Sequence, residues 1–278
     1  MNHSGDLGIG IGLRRAFFNE ILQNNRDIDW LEIVPENFIT FGGRPRDTLK
    51  KCLARWPIIS HGVGLSLGAV TPFSPDYLQG LKNLLDQLDS PFFSDHLCYS
   101  SYGNHQYHDL IPLPFTEESV THTVERIDQI RDKMKRPLVI ENISYYIASE
   151  NPEMDEATFI TEILKRSDAG LLLDINNVYV NSKNHGFDAK EFLAKLPTDK
   201  VVQIHLAGHW DRGDVVIDTH GAAVCQDVWE LYAWYTSYAK RSISTLIEWD
   251  NDIPPLSMIL DEAKKAKQVR ATALKGSE

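Results

Sequence analysis

The sequence predicts an α/β fold, a single (β/α)8 barrel, on three observations. Short apolar runs alternate with longer helix-like segments, and the alternation counts to eight. Most of the runs are continuously apolar, as parallel strands buried on both faces are. The chain has 278 residues, close to the roughly 250 at which one such barrel is routine. Strand followed by helix, repeated this often, favours a closed barrel over an open doubly wound sheet.

Residues 8–12 (GIGIG) form a first strand whose glycines permit close backbone approach, and residues 14–23 follow as a short helix. Residues 30–34 (WLEIV) are the second strand; a Pro-Glu-Asn loop and a helix over 46–56 come next. The third strand is 57–61 (PIISH). Its helix spans 75–88: Ser74 can cap it, Pro75 suits the first helical position, and Leu78, Leu81, Leu85 and Leu88 share a face. The fourth strand, 91–95 (PFFSD), precedes a helix over 116–132 that opens with acids in TEES. Strand 137–141 (PLVIE) is paired with a helix over 155–167 carrying Ile160, Ile163 and Leu164. Strand 170–174 (GLLLD) is followed by helix 188–196, strand 201–205 (VVQIH) by helix 228–240, and strand 244–248 (STLIE) by helix 255–271. No Pro/Gly/Ser tract divides the chain, so residues 1–278 are expected to form one domain, with 271–278 as a frayed tail.

Composition narrows the function classes. Hydrophobic residues make up 42% and charged residues 24%, which is ordinary for a globular chain. The formal net charge of −11 argues against nucleic acid or an anionic membrane as partner, since both call for a basic patch. There is no signal-peptide pattern, and no apolar run approaches the ~20 residues of a membrane span. Cys52, Cys98 and Cys225 lack CxxC spacing, so neither a disulfide framework nor a zinc knuckle is indicated, and a cytoplasmic location is expected.

In such a barrel chemistry gathers at the C-terminal ends of the strands. Those ends carry Glu36, His61, Asp95 and His96, Glu141 and Asn142, Asp174 with Asn176 and Asn177, His205, and Glu248 with Asp250. Val201 to Gly221 is the densest stretch, with three histidines and three aspartates in 21 residues, among them His209 and the Asp218–His220 pair. Inward carboxylates in a barrel core are costly unless paired or bound to a cation. Imidazole nitrogen and carboxylate oxygen are the donors that borderline divalent metals prefer, iron and manganese included.

The candidate ligands are His61, His96, Glu141, Asp174, His205, Asp218, His220 and Glu248; Asp95, Asn142, Asn177, His209 and Asp250 are expected behind them or facing the substrate. Glu141, Asp174 and Glu248 each end an apolar run, where a solvated role does not fit. His61, His96 and the Asp218–His220 turn are open to plainer roles when taken singly. His105, His108, His122 and His185 are read as structural or solvated, and His3 as part of a loose terminus. A single zinc takes three or four protein ligands, so a surplus of this size suggests two or more clustered ions, with Glu141 or Glu248 bridging.

Taken in order, HGVGLSLG, SDHLCYS, VIENISYY, LLLDINNVYVN, IHLAGH, DTHG and LIEWDND resemble the multinuclear non-haem iron-dependent oxidative enzymes, typified by the catalytic subunit of methanobactin biosynthesis. The resemblance runs from GIGLRR to DNDIP. It implies a TIM barrel holding two or three iron ions in mixed Fe(II)/Fe(III) states on the eight candidate ligands, with Asn177 and His209 at the edge. It implies O2 as co-substrate, oxidation of cysteines in a ribosomally made precursor peptide, and a small partner protein that recruits the peptide. Such recruitment suits a closed barrel, which offers an extended peptide no strand edge.

Two other classes remain open on the residues. One is a divalent-metal isomerase or hydrolase of the xylose-isomerase or endonuclease kind. The isomerase predicts a lysine or histidine acid–base near a sugar pocket and activity without oxygen; the nuclease predicts a basic groove. The other is a non-catalytic metal-binding accessory protein, which predicts metal uptake without turnover.

Overall fold

The computed structural model describes residues 5–23, 28–40, 42–102 and 105–276, so His3 lies outside the described residues. Eight strands close into a barrel: β1 (Ile9–Gly12), β2 (Trp30–Ile33), β3 (Ile58–Gly62), β4 (Phe93–His96), β5 (Leu138–Glu141), β6 (Gly170–Asp174), β7 (Val201–Leu206) and β8 (Ser244–Ile247). Each is parallel to its neighbours in sequence order, and β8 returns to β1 through Ile9↔Thr245 and Ile11↔Ile247.

Strand alternation sorts the side chains into two environments. Ile9, Ile11, Leu31, Ile33, Leu138, Ile140, Leu171 and Leu173 face outward into the main core beneath the helices. Trp30, Ile59, Phe92, Val139, Leu172, Val202 and Leu246 form a separate apolar layer within the barrel. Two residues further along the strands the inward positions become polar, with Glu32, His61, Ser94, Glu141, Asp174 and Glu248 all buried. The barrel is therefore plugged by hydrocarbon at one end and lined with charge at the other. Glycine in β1 has a steric cause: a Cβ on Gly10 would lie 2.4 Å from the Trp30 ring.

β7 departs from simple alternation. Its register against β6 shifts between Leu171 and Leu172, which pair with Val201 and Gln203. Such a bulge re-aims the residues beyond it. Val202 thus joins the apolar plug while Gln203 and His205 both belong to the buried polar layer.

The surrounding helices are α1 (Phe18–Gln23), α2 (Glu36–Ile39), α3 (Arg44–Leu53), α4 (Pro75–Leu88), α5 (Glu117–Met134), α6 (Glu156–Arg166), α7 (Ile175–His185), α8 (Ala189–Lys195), α9 (Gln226–Ala239) and α10 (Leu256–Lys275). Ser74 caps α4 by accepting from the Tyr77 N–H, and Leu78, Leu81, Leu85 and Leu88 are buried as the spacing predicts.

Four features differ from the sequence expectation. A helix precedes the one expected over 188–196: Asp174 accepts from the Asn177 N–H and starts α7. A hairpin of Tyr99–Tyr102 and His105–Ile111 stands after β4, and Trp210–Asp211 pairs with Val216–Ile217 after β7. Glu36 does not end a barrel strand; it opens α2. Residues expected as a frayed tail from Ala271 continue α10 to Lys275. Among the described residues, no helix is long and apolar enough to cross a membrane.

Candidate metal centre

The polar ends of β3 to β8 cluster beside a cavity of about 490 Å³ lined by His61, His96, Glu141, Asn177, Asp218, His220, Glu248 and Asp250 among others. Four overlapping groups at these strand ends and the loops beyond place ligand atoms within 4.8 Å of one another: His61–His96–Glu141, His61–His205–Glu248, Glu141–Asp174–His205–Glu248 and His220–Glu248–Asp250. Glu141 belongs to two of them and Glu248 to three, the sharing required of carboxylates that bridge ions.

Each ring is oriented from behind. His61 Nδ1 is 2.9 Å from Ser94 Oγ and its Nε2 is 3.1 Å from Glu141 Oε2. His96 Nδ1 is 2.9 Å from the Gly62 carbonyl oxygen, and its Nε2 also reaches Glu141 Oε2 at 3.1 Å. With Nδ1–H donating to these oxygens, both Nε2 lone pairs face the carboxylate. His205 is turned the other way, with Nδ1 2.9 Å from Glu248 Oε2 and 3.3 Å from Glu141 Oε1. His220 sits in a left-handed turn at φ 45°, its Nε2 2.8 Å from Asp218 Oδ1 and its Nδ1 3.1 Å from Glu248 Oε2.

Asp174 has two tasks. Oδ1 accepts from the Asn177 N–H at 2.6 Å and caps α7, leaving Oδ2 for the cluster. Asp218 takes hydrogen bonds from Ser144 Oγ and the Asn176 amide, each at 2.8 Å. Asp218 falls outside the four groups and meets the centre through His220.

These donor atoms suit cations better than one another. Glu141 Oε2, Asp174 Oδ2, Asn177 Oδ1, His205 Nδ1 and His220 Nε2 are buried without a hydrogen-bond partner, although several of them lie close together. Atoms that approach without hydrogen-bond geometry and share a focus are arranged as ligands are. Glu32, Glu141, Asp174 and Glu248 are at most 4% exposed, and carboxylates this deeply buried need neutralising. Arg14 supplies one positive charge, with Asp250 Oδ1 at 2.5 Å and Glu248 Oε1 at 3.7 Å. No thiolate enters any of the groups, so the donor set is oxygen and imidazole.

Protonation follows the same electrostatics. Burial works against a charged His61 ring, but Glu141 outweighs it and pushes the ring up to about 9. His205 and His220 are raised against burial, by Glu248 foremost for one and Asp218 for the other. Burial lowers His96. Burial opposes ionisation of Glu141 and Glu248, yet their histidine neighbours hold both below the ordinary carboxylate range. Burial drives Asp174 well up. In the metal-free chain, protons on the rings thus supply charge that bound cations would replace, so metal uptake releases protons.

Six of the eight candidate ligands line this cavity, Asp174 and His205 join them through the buried group they form with Glu141 and Glu248, and the outer set divides. Asp250 joins His220 and Glu248, and Asn177 lines the cavity. Asp95 does not orient a histidine ring. It sits at an outward position, accepting from the backbone N–H groups of His96 and Leu65 and pushed up to about 8 by burial and by Glu36. Asn142 faces backbone: its amide exchanges hydrogen bonds with the Asp174 N–H and carbonyl, tying β5 to β6. His209 stacks on Tyr179 and reaches Asn176 Oδ1 at 2.7 Å, touching the centre only through Asn176 and Asp218.

Sequence reasoning missed Glu32, Gln203, Arg14 and Ser144. Glu32 was legible as the one charge inside the apolar run WLEIV. The histidines read as structural have local partners: His122 Nε2 lies 3.1 Å from the Ala69 carbonyl oxygen and His185 Nε2 lies 2.9 Å from that of Tyr145. His105 is exposed, and the side chain of His108 lies outside the described residues.

Residues 8–271 match the family model described as RiPP precursor modification enzyme MbnB/TglH/ChrH. A UPF0276 protein of Anaeromyxobacter sp. (strain Fw109-5) is 46% identical over 268 residues, covering 96% of this chain and 94% of its own. Among solved structures, a putative xylose isomerase from Rhodospirillum rubrum aligns with TM-score 0.58 at 14% identity, covering 98% of this chain and 99% of its own. Endonuclease IV from Thermus thermophilus aligns with TM-score 0.57 at 12% identity, covering 97% and 99%. At those identities the two structures speak for the barrel alone.

Proposed function

This chain belongs to the MbnB/TglH/ChrH family of RiPP precursor modification enzymes, and on that premise we propose that it oxidises cysteine residues of a ribosomally made precursor peptide with a multinuclear iron centre and O2. The observation that carries the reading is the clustering of unpartnered buried donor atoms: Glu141, Asp174 and His205 share one ligand group with Glu248, and Glu141 and His220 also line the cavity. The ligands are proposed to be His61, His96, Glu141, Asp174, His205, Asp218, His220 and Glu248, holding two or three irons in mixed Fe(II)/Fe(III) states. Iron in this donor set would supply an open position for a substrate thiolate and electrons for reaction with O2.

The chain's own residues fix the geometry. Ser94 and Gly62 lock the His61 and His96 rings, Glu141 stands between two ligand groups, and Arg14 steadies Asp250 beside Glu248. Val63, Tyr107, Leu110 and Tyr146 also line the cavity and give a peptide apolar contact. A separate small protein is proposed to bring the peptide to this mouth, because the barrel is closed and has no edge of its own.

The rival chemistries find less support. Among the described residues no lysine or arginine lines the cavity to hold a phosphodiester, and the isomerase, whose acid–base could be one of the cavity's histidines, is separated by the oxygen test. The test is incubation of the iron-loaded chain, in air and without oxygen, with a candidate cysteine-bearing precursor peptide. A mass change on the peptide cysteine is expected only with oxygen; equal turnover without it would eliminate the oxidative reading.

A further inference from the structure

We propose that Glu32, with Gln203 beside it, is a positioning residue for the metal centre: it holds the His205 ring in the tautomer that leaves Nδ1 free for a cation. The inference rests on the reading of His205 as a ligand. Glu32 is 1% exposed, and Gln203 and His205 are fully buried. Glu32 Oε2 lies 3.2 Å from His205 Nε2 and accepts from Gln203 Nε2 at 2.6 Å; Gln203 Nε2 is also 2.7 Å from His205 Nε2.

A neutral imidazole carries one N–H and one lone pair. With the proton on Nδ1, Nε2 would accept from Gln203 and the lone pair would point away from Glu141 and Glu248. With the proton on Nε2, the N–H donates to Glu32 and the Nδ1 lone pair faces both carboxylates; Gln203 Nε2, 2.7 Å from the ring nitrogen, then gives its hydrogen to Glu32 and not to the ring. Nδ1 approaches Glu248 and Glu141 yet makes no hydrogen bond, as the second state requires. A carboxylate behind a ligating histidine fixes its orientation and raises its basicity. The β7 bulge lets Gln203 face inward next to the inward Val202, and ordinary alternation then sets Gln203 and His205 on the same face.

The experiment is anaerobic Fe(II) titration of the full chain as wild type, Glu32→Gln, and the transposed pair Glu32→Gln/Gln203→Glu. Glu32→Gln should weaken the ion held by His205 about 10- to 100-fold. The transposed pair should return it to within a few-fold of wild type, since a carboxylate at 203 meets the same Nε2. Unchanged affinity in Glu32→Gln, or no recovery in the pair, overturns the assignment. Long-range 1H–15N correlations on the Zn2+-loaded wild type give a second arm that does not depend on variants folding. The His205 proton is expected on Nε2, and finding it on Nδ1 overturns the proposal. A wild-type chain that takes up no ion would defeat the proposed function as well, whereas normal uptake with an indifferent Glu32→Gln defeats this assignment alone.

Discussion

Glu141 contacts three histidines at once, His61 and His96 through Oε2 and His205 through Oε1, and so joins two of the ligand groups. Glu141→Ala or His205→Ala should abolish most iron uptake and leave the far-UV circular dichroism of the barrel intact. His122→Ala is the matched control: it loses a contact to the Ala69 carbonyl, about 1 kcal/mol at most, and should leave iron content unchanged. Iron retained at wild-type stoichiometry in Glu141→Ala would show that the ligand assignment is misplaced. At this scale the sequence was informative wherever a charge ended an apolar strand, as in LVIE, LLLD and LIE. It misled at Asp95, where a one-residue step along the strand turns the side chain outward to the Leu65 and His96 backbone. It was silent on Gln203, because a β-bulge is a pairing property and leaves no mark on the strand that bears it.

Elements carry the centre through their ends. Asp174 both terminates β6 and caps α7, so its two oxygens can be separated by mutation. Asp174→Asn keeps a capping oxygen and removes the free carboxylate oxygen; iron should fall while metal-free stability changes little. Asp174→Ala loses the cap as well, and its metal-free form should be about 1 kcal/mol less stable than the Asn variant in chemical denaturation. Equal stability would show that the cap does not matter. Away from the centre, Glu156 at the start of α6 is raised to about 8 by burial, against the hydrogen bond it accepts from Tyr145 at 3.1 Å. A carboxyl with a raised folded value stabilises the fold fully below its unfolded value, and that stability is lost as pH rises through about 8. The metal-free chain should therefore weaken between pH 5 and 8 with a contribution of up to about 1.4 kcal/mol per pH unit, and Glu156→Gln should flatten that slope. A slope identical in the variant would refute the assignment. Helices with clear caps, such as α4 and α5, could be read from sequence. α7 could not, because INNVYVN is rich in asparagine and β-branched residues, and what starts it is the Asp174 cap.

The whole molecule separates a dry end of the barrel from a charged one, and that division follows from a period-two pattern shared by successive strands. Trp30 precedes Glu32, Ile59 precedes His61, Val139 precedes Glu141, Leu172 precedes Asp174 and Leu246 precedes Glu248. The barrel was legible for this reason, whereas the two hairpins at its mouth were not, since short exposed strands pair by local turn geometry instead of by burial. The polar layer carries more carboxylate than Arg14 can balance; ring protons on the histidines supply charge in the metal-free chain, and bound cations would replace them. The most direct test is metal analysis with Mössbauer spectroscopy on the full chain produced in iron-supplemented medium. Two or more irons per chain, with a coupled or mixed-valent signal, is the predicted result. A single zinc or manganese per chain, with no iron retained, would contradict it.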